Sequence, residues 1–110
     1  MVKVSLTALM RQHLATAKRT SSGRSAHTVY GGHEHSLRQT LIALTEGTVL
    51  EEHANPGETT VHVLQGRVRL TSGDHVWDGI PGDHLIVPES RHSLTALEDS
   101  AVLLTVAMHR

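Results

Sequence analysis

The stretch from Gly47 to Gly66 reads GTVLEEHANPGETTVHVLQG, and its punctuation decides the fold. Glycines stand at both ends, and Asn55-Pro56-Gly57 breaks the middle. Such residues turn the chain, because proline fixes φ while glycine and asparagine tolerate backbone angles that others avoid. What lies between the breaks is rich in Val and Thr, which favour strands. Positions 53, 55, 59, 61 and 63 share one parity. Strand alternation therefore places His53, Asn55, Thr59, Val61 and Val63 on one face, if the alternation carries across the turn.

The same rhythm continues outward in both directions. After a Gly31-Gly32 turn, Gly47, Asn55-Pro56-Gly57, Ser72-Gly73-Asp74 and Ile80-Pro81-Gly82-Asp83 punctuate the sequence every ten or so residues. Between them lie short β-rich runs: Val29-Tyr30, Leu37 to Leu44, Val61 to Thr71, Val76-Trp77, Leu85 to Val87, Ser93 to Leu97 and Ala101 to Ala107. Regular short strands predict a sandwich or barrel. No strand-helix-strand rhythm and no glycine-rich phosphate loop appears, which argues against nucleotide folds.

Only the N-terminal stretch breaks the pattern. From Ser5 to about Thr20, the apolar residues Leu6, Leu9, Met10, Leu14 and Ala17 recur at three- and four-residue steps, which predicts an amphipathic helix capped by Ser5. Ser21-Ser22-Gly23-Arg24 reads as a linker. The expected organisation is therefore a helix and linker over 1–25 and a barrel over 26–110. This helix is expected to pack on the barrel or on a second subunit. The segment is also acid-free and rich in Ser, Thr and Arg, a composition shared with organelle targeting peptides.

The chain has 110 residues, enough for one core, and a formal net charge of -1. Its charge is divided unevenly. Lys3, Arg11, Lys18, Arg19 and Arg24 precede any acid, and all eleven acids follow residue 33. No base-reading element accompanies the basic arm, so a nucleic-acid partner and a regulator role rank last. The absence of cysteine excludes disulfides, thiolate metal sites and a cysteine nucleophile, and fits a cytoplasmic protein. No apolar run is long enough to span a membrane. No serine stands in a nucleophile elbow.

Ten histidines are present, an excess that directs attention to metal or acid–base chemistry. His53 is set apart by the turn that follows it, and His92 by the stretch from Gly82 to Ala96, GDHLIVPESRHSLTA. His27, His75, His84 and His109 read as bystanders. His13 lies near the apolar face of the helix. Trp77 reads as a packing anchor in a core without Phe, and Arg67 and Arg69, alternating with Val68 and Leu70, as a solvated face.

Together these two stretches resemble the cupin superfamily. Its first motif is Gly, five residues, His-x-His, three or four residues, Glu, six residues, Gly, and here it reads Gly47, His53-Ala54-Asn55, Thr59, Gly66. Its second is Gly, five residues, Pro-x-Gly, two residues, His, three residues, Asn, and here it reads Gly82, Pro88-Glu89-Ser90, His92, Ala96, one residue short before the His. The resemblance implies an all-β, cupin-type jelly-roll barrel, or double-stranded β-helix, preceded by the one N-terminal helix. It also implies a homodimer with a small-molecule ligand in the pocket.

Cupins hold a divalent metal such as Fe, Mn, Ni or Zn through two His and a Glu of the first motif and the His of the second. Here His53 and His92 are kept, whereas Asn55 and Thr59 stand at the other two positions. Three substitutes exist. Glu58 is one residue away and needs a bulge to turn inward. His62 needs a one-residue slip of register. The His33-Glu34-His35 pair sits beside a Gly-Gly turn. Two functions follow: a metal-dependent cupin enzyme acting on a small molecule, or a non-catalytic binding or sensor module with His53, Asn55 and His92 as hydrogen-bonding groups and Thr59, Val61 and Val63 lining the pocket.

Overall fold

A computed structural model describes residues 1–51, 57–88 and 90–108. Among the described residues one helix, α1 (Leu6–Arg19), precedes nine strands: β1 (Arg24–Tyr30), β2 (Leu37–Leu44), β3 (Val49–Glu51), β4 (Gly57–Gln65), β5 (Val68–Ser72), β6 (His75–Gly79), β7 (His84–Val87), β8 (Ser93–Ala96) and β9 (Ser100–Met108). The strands form a five-stranded sheet, β1-β2-β9-β4-β7, and a four-stranded sheet, β3-β8-β5-β6. Every pairing is antiparallel.

Alternation along β4 explains how the two sheets face each other. Gly57, Thr59, Val61 and Val63 are buried, while Glu58, Thr60, His62 and Leu64 lie on the other face. The buried set packs with Ile42, Leu44, Val68, Leu70, Val87, Leu94, Ala96 and Val102 into the barrel core. This is the aliphatic core that a chain without Phe must build. Register aligns the inner face in rows: Thr40, Leu104 and Val61 in one, and Arg38, Val106, Thr59 and Val87 in the next.

The helix forms a second, smaller core on the outside of the larger sheet. Leu14 and Ala17 pack against Ala43 and Ala101, flanked by Met10 and Leu64. Small residues on both sides allow close approach of helix and sheet. This is why β2 is buried on both faces from Leu41 to Leu44 and lacks a clean apolar–polar alternation. Ser5 caps α1, its hydroxyl accepting the Ala8 N–H at 3.2 Å, and Lys18 and Arg19 meet the partial negative charge of the last turn. His13 is half-buried between helix and sheet, its Nδ1 2.7 Å from the Ser25 hydroxyl.

Two expectations need correction. The run from Val61 to Thr71 is two strands, since Gly66 takes φ +82° and turns the chain between β4 and β5. Trp77 is not a core anchor. It lies on β6, the edge of its sheet, is 42% exposed, and stacks on His75 with ring centroids 6.2 Å apart.

A candidate ligand pocket

His92 immediately precedes β8 and shares parity with Leu94 and Ala96, which face the barrel core. It is 7% exposed. Its Nδ1 lies 3.3 Å from the Ser90 carbonyl oxygen. With the proton on Nδ1 donated there, Nε2 is the acceptor nitrogen. The ring meets a small cavity of about 10 Å³, shared with Val61, Leu70, Leu94 and Leu104 among others. That is about the room of one water molecule.

Thr59 faces the same interior at 3% exposure. Its hydroxyl donates to the Gly57 carbonyl at 3.4 Å. Val61 lines the cavity, and Val63 lies deeper, fully buried. The structure therefore brings His92 and Val61 to one cavity, with Thr59 on the same inner face. His53 and Asn55 lie outside the described residues.

The substitute ligands lie elsewhere. Glu58 is exposed on the outer face of β4, which runs without a bulge from Gly57 to Val63. His62 is also on that outer face, because the register is unslipped and pairs it with the exposed His84. His33 and His35 are exposed in the turn after β1. His35 contacts Tyr30, whose hydroxyl is 3.5 Å from its Nδ1.

Among the described residues, no three His, Asp or Glu side chains come together as metal ligands. The described donors thus offer one inward imidazole and an alcohol where the family carries a carboxylate. They do not fit a metal centre by themselves, since protein sites take three or more side chains.

Arg67, just before β5, and Arg69 on it are both exposed, as their alternation indicates. Arg69 donates from Nε to Asp78 at 2.8 Å and from a terminal nitrogen at 3.1 Å. The pairing raises the Arg69 pKa and holds Asp78 below the ordinary carboxylate range, chiefly through that hydrogen bond.

The inward arginine is a different one. Arg38 shares the face of Ile42 and Leu44, and its Nε is buried with no hydrogen-bond partner. Parity with Ile42 and Leu44 was the available signal. Leu41 and Ala43 on the opposite face concealed it.

No protein-family model matches the chain, and no curated protein matches it in sequence. Its fold has clear counterparts among solved structures. A conserved protein of unknown function from Streptococcus pyogenes superposes with a TM-score of 0.73 at 23% identity, covering 83% of this chain and 79% of that one. A cupin superfamily protein from Desulfitobacterium hafniense gives 0.71 at 21% identity, covering 78% of each. The Cupin_2 domain of an XRE family transcriptional regulator from Enterobacter cloacae gives 0.69 at 11% identity, covering 79% of this chain and 98% of that domain. With its two antiparallel sheets closed around one aliphatic core and a single helix outside, the chain has the fold of a small cupin.

Proposed function

We propose that this chain is a small-molecule-binding cupin whose ligand occupies the barrel interior beside His92. One observation carries the reading: a buried imidazole faces an otherwise apolar cavity, the arrangement by which ligand sites fix orientation with few polar groups, although at about 10 Å³ the cavity holds one water and a ligand reaches the imidazole only by displacing the side chains around it. Thr59 supplies a neutral hydroxyl on the same inner face. His53 and Asn55, at the first-motif positions, are proposed as further polar contacts. The non-catalytic form needs nothing more than this. A metal-dependent form would need His53 to join His92 with a third donor.

Metal content of tag-free protein separates the two forms. About one equivalent of Fe, Mn, Ni or Zn, lost in a His53→Ala/His92→Ala variant, establishes the metal-dependent form. For ligand binding, thermal melts are run against a library of small polar compounds. A hit raises the melting temperature of the native chain and loses its effect in His92→Ala, while Arg69→Ala retains it; at a hundred times Kd the gain is about 2.7 kcal/mol. If every stabilising compound acts equally on His92→Ala, the proposal is rejected.

A homodimer fits the same reading. The larger sheet ends in β1 and β7, and Ile86 on β7 is 73% exposed. Natural proteins usually cover such edges. A sedimentation mass equal to one chain would reject it. None of the described helices is long and apolar enough to cross a membrane, and a cytoplasmic location remains part of the proposal.

A further inference from the structure

A second concavity lies at the β1–β2 end of the larger sheet. Gly31 and Gly32 leave β1 with φ of +119° and +151°. The turn they start is pressed against β2: a Cβ on Gly31 would sit 2.8 Å from the Leu37 carbonyl oxygen, 3.0 Å from Arg38 Cα and 3.1 Å from Arg38 Cγ. Backbone therefore covers the stem of Arg38. Beyond the stem opens a cleft of about 280 Å³, lined by Thr28, Tyr30, Gly32, His33, Arg38 and Thr40.

The chemistry of this lining is one-sided. It presents a guanidinium, an imidazole and three hydroxyls, and no carboxylate. Glu34, on the same turn, is exposed and is not part of the lining. Arg38 makes no ion pair among the described residues, unlike Arg67 and Arg69, and its buried Nε has no partner. The Nε itself is closed to solvent, so an anion would be met by the terminal nitrogens of the guanidinium, whose planar fork matches the oxygens of a carboxylate or phosphate. Thr28 and Thr40 are directly paired across the strands, so their hydroxyls stand side by side on this face.

We infer that this cleft is a binding site for a small oxyanion, a carboxylate or a phosphate, held by Arg38 with the hydroxyls of Thr28, Thr40 and Tyr30 as further donors. The size suits a small acid rather than a nucleotide. None of the six lining residues lines the His92 cavity. Arg38 and Thr40 nevertheless lie on the barrel's inner face, in the rows of Thr59 and of Val61 and Leu104, so the His92→Ala variant is what separates this site from the one beside His92.

The test is a side-chain NMR titration of the full chain, following the arginine Nε–H resonances with succinate, inorganic phosphate and the neutral succinamide. The Arg38 resonance is expected to shift saturably with one or both anions, with a Kd of about 1 mM, and to ignore succinamide. A response to succinate alone assigns the site to carboxylates, and one to phosphate alone assigns it to phosphates. Arg69 Nε–H, already donated to Asp78, is the internal control. Arg38→Gln should weaken binding at least tenfold, with Thr28→Val giving a smaller loss, and His92→Ala should bind as the native chain does.

Shifts that stay linear for both anions overturn the inference, as does saturation unchanged in Arg38→Gln. Loss of anion binding in His92→Ala would overturn the independence of the two sites. If Arg38→Gln fails to fold, the native titration and Thr28→Val decide alone.

Discussion

Ser100 and Gly66 lock the β4–β5 turn to the start of β9. The fully buried Ser100 hydroxyl accepts the Arg67 N–H at 3.0 Å and donates to the Glu98 carbonyl at 2.8 Å. It also fills the place that a side chain on Gly66 would need, for a Cβ there would overlap the Ser100 hydroxyl and the Asp99 carbonyl oxygen. Gly66→Ala combines that overlap with φ of +82°. It should cost more than about 2 kcal/mol. Ser100→Ala leaves a backbone N–H without its acceptor and should cost about 1–3 kcal/mol. Urea unfolding with an unchanged slope checks both.

The helix is a docked element, and its contribution should be separable. Leu14→Ala removes the main apolar contact to Ala43 and Ala101. It should cost about 2–4 kcal/mol, while Ser5→Ala, which loses only the cap, should cost about 1 kcal/mol. Equal losses from the two substitutions would show that the helix contributes through its own propensity rather than by packing.

These contrasts show what the sequence could reveal. Gly47, Gly66 and Gly82 all take positive φ in the structure, so the turns that frame the two motifs were readable residue by residue. Inward parity at Thr59, Val61 and Val63 was readable for the same reason, because β4 alternates cleanly. Where alternation fails, so does the reading. Leu41 to Leu44 is apolar throughout because a helix covers its outer face, and this hid the inward direction of Arg38. Trp77 misled because β6, the edge of its sheet, buries only Gly79 and leaves this residue 42% exposed.

The two kinds of buried residue around the cavity should respond differently to substitution. Leu94→Ala removes core volume and should cost about 2–5 kcal/mol. His92→Leu keeps volume and adds apolar surface to an apolar cavity, and the 3.3 Å contact with Ser90 is among the interactions it loses. Its net effect should stay within about 1 kcal/mol of the native chain. Such a result, measured by urea unfolding, marks His92 as a residue kept for binding rather than for stability. A loss as large as that of Leu94→Ala would mark it as structural.

The Asp78–Arg69 pair gives a pH signature of defined sign. Asp78 is cross-strand from Arg69, and the hydrogen bond from Arg69 is the largest cause of its lowered pKa. A carboxylate whose pKa is depressed on folding stabilises the native state above its unfolded value and loses that contribution as pH falls through the folded value. The difference in stability between the native chain and Asp78→Asn should therefore be constant at neutral pH. It should shrink once the pH drops below the unperturbed 3.8. Both partners reach solvent, so the difference should be small and should fall with added salt. Urea midpoints of the two proteins from pH 7 down to about pH 2 measure it, and a gap that widens toward acid would contradict the assigned direction.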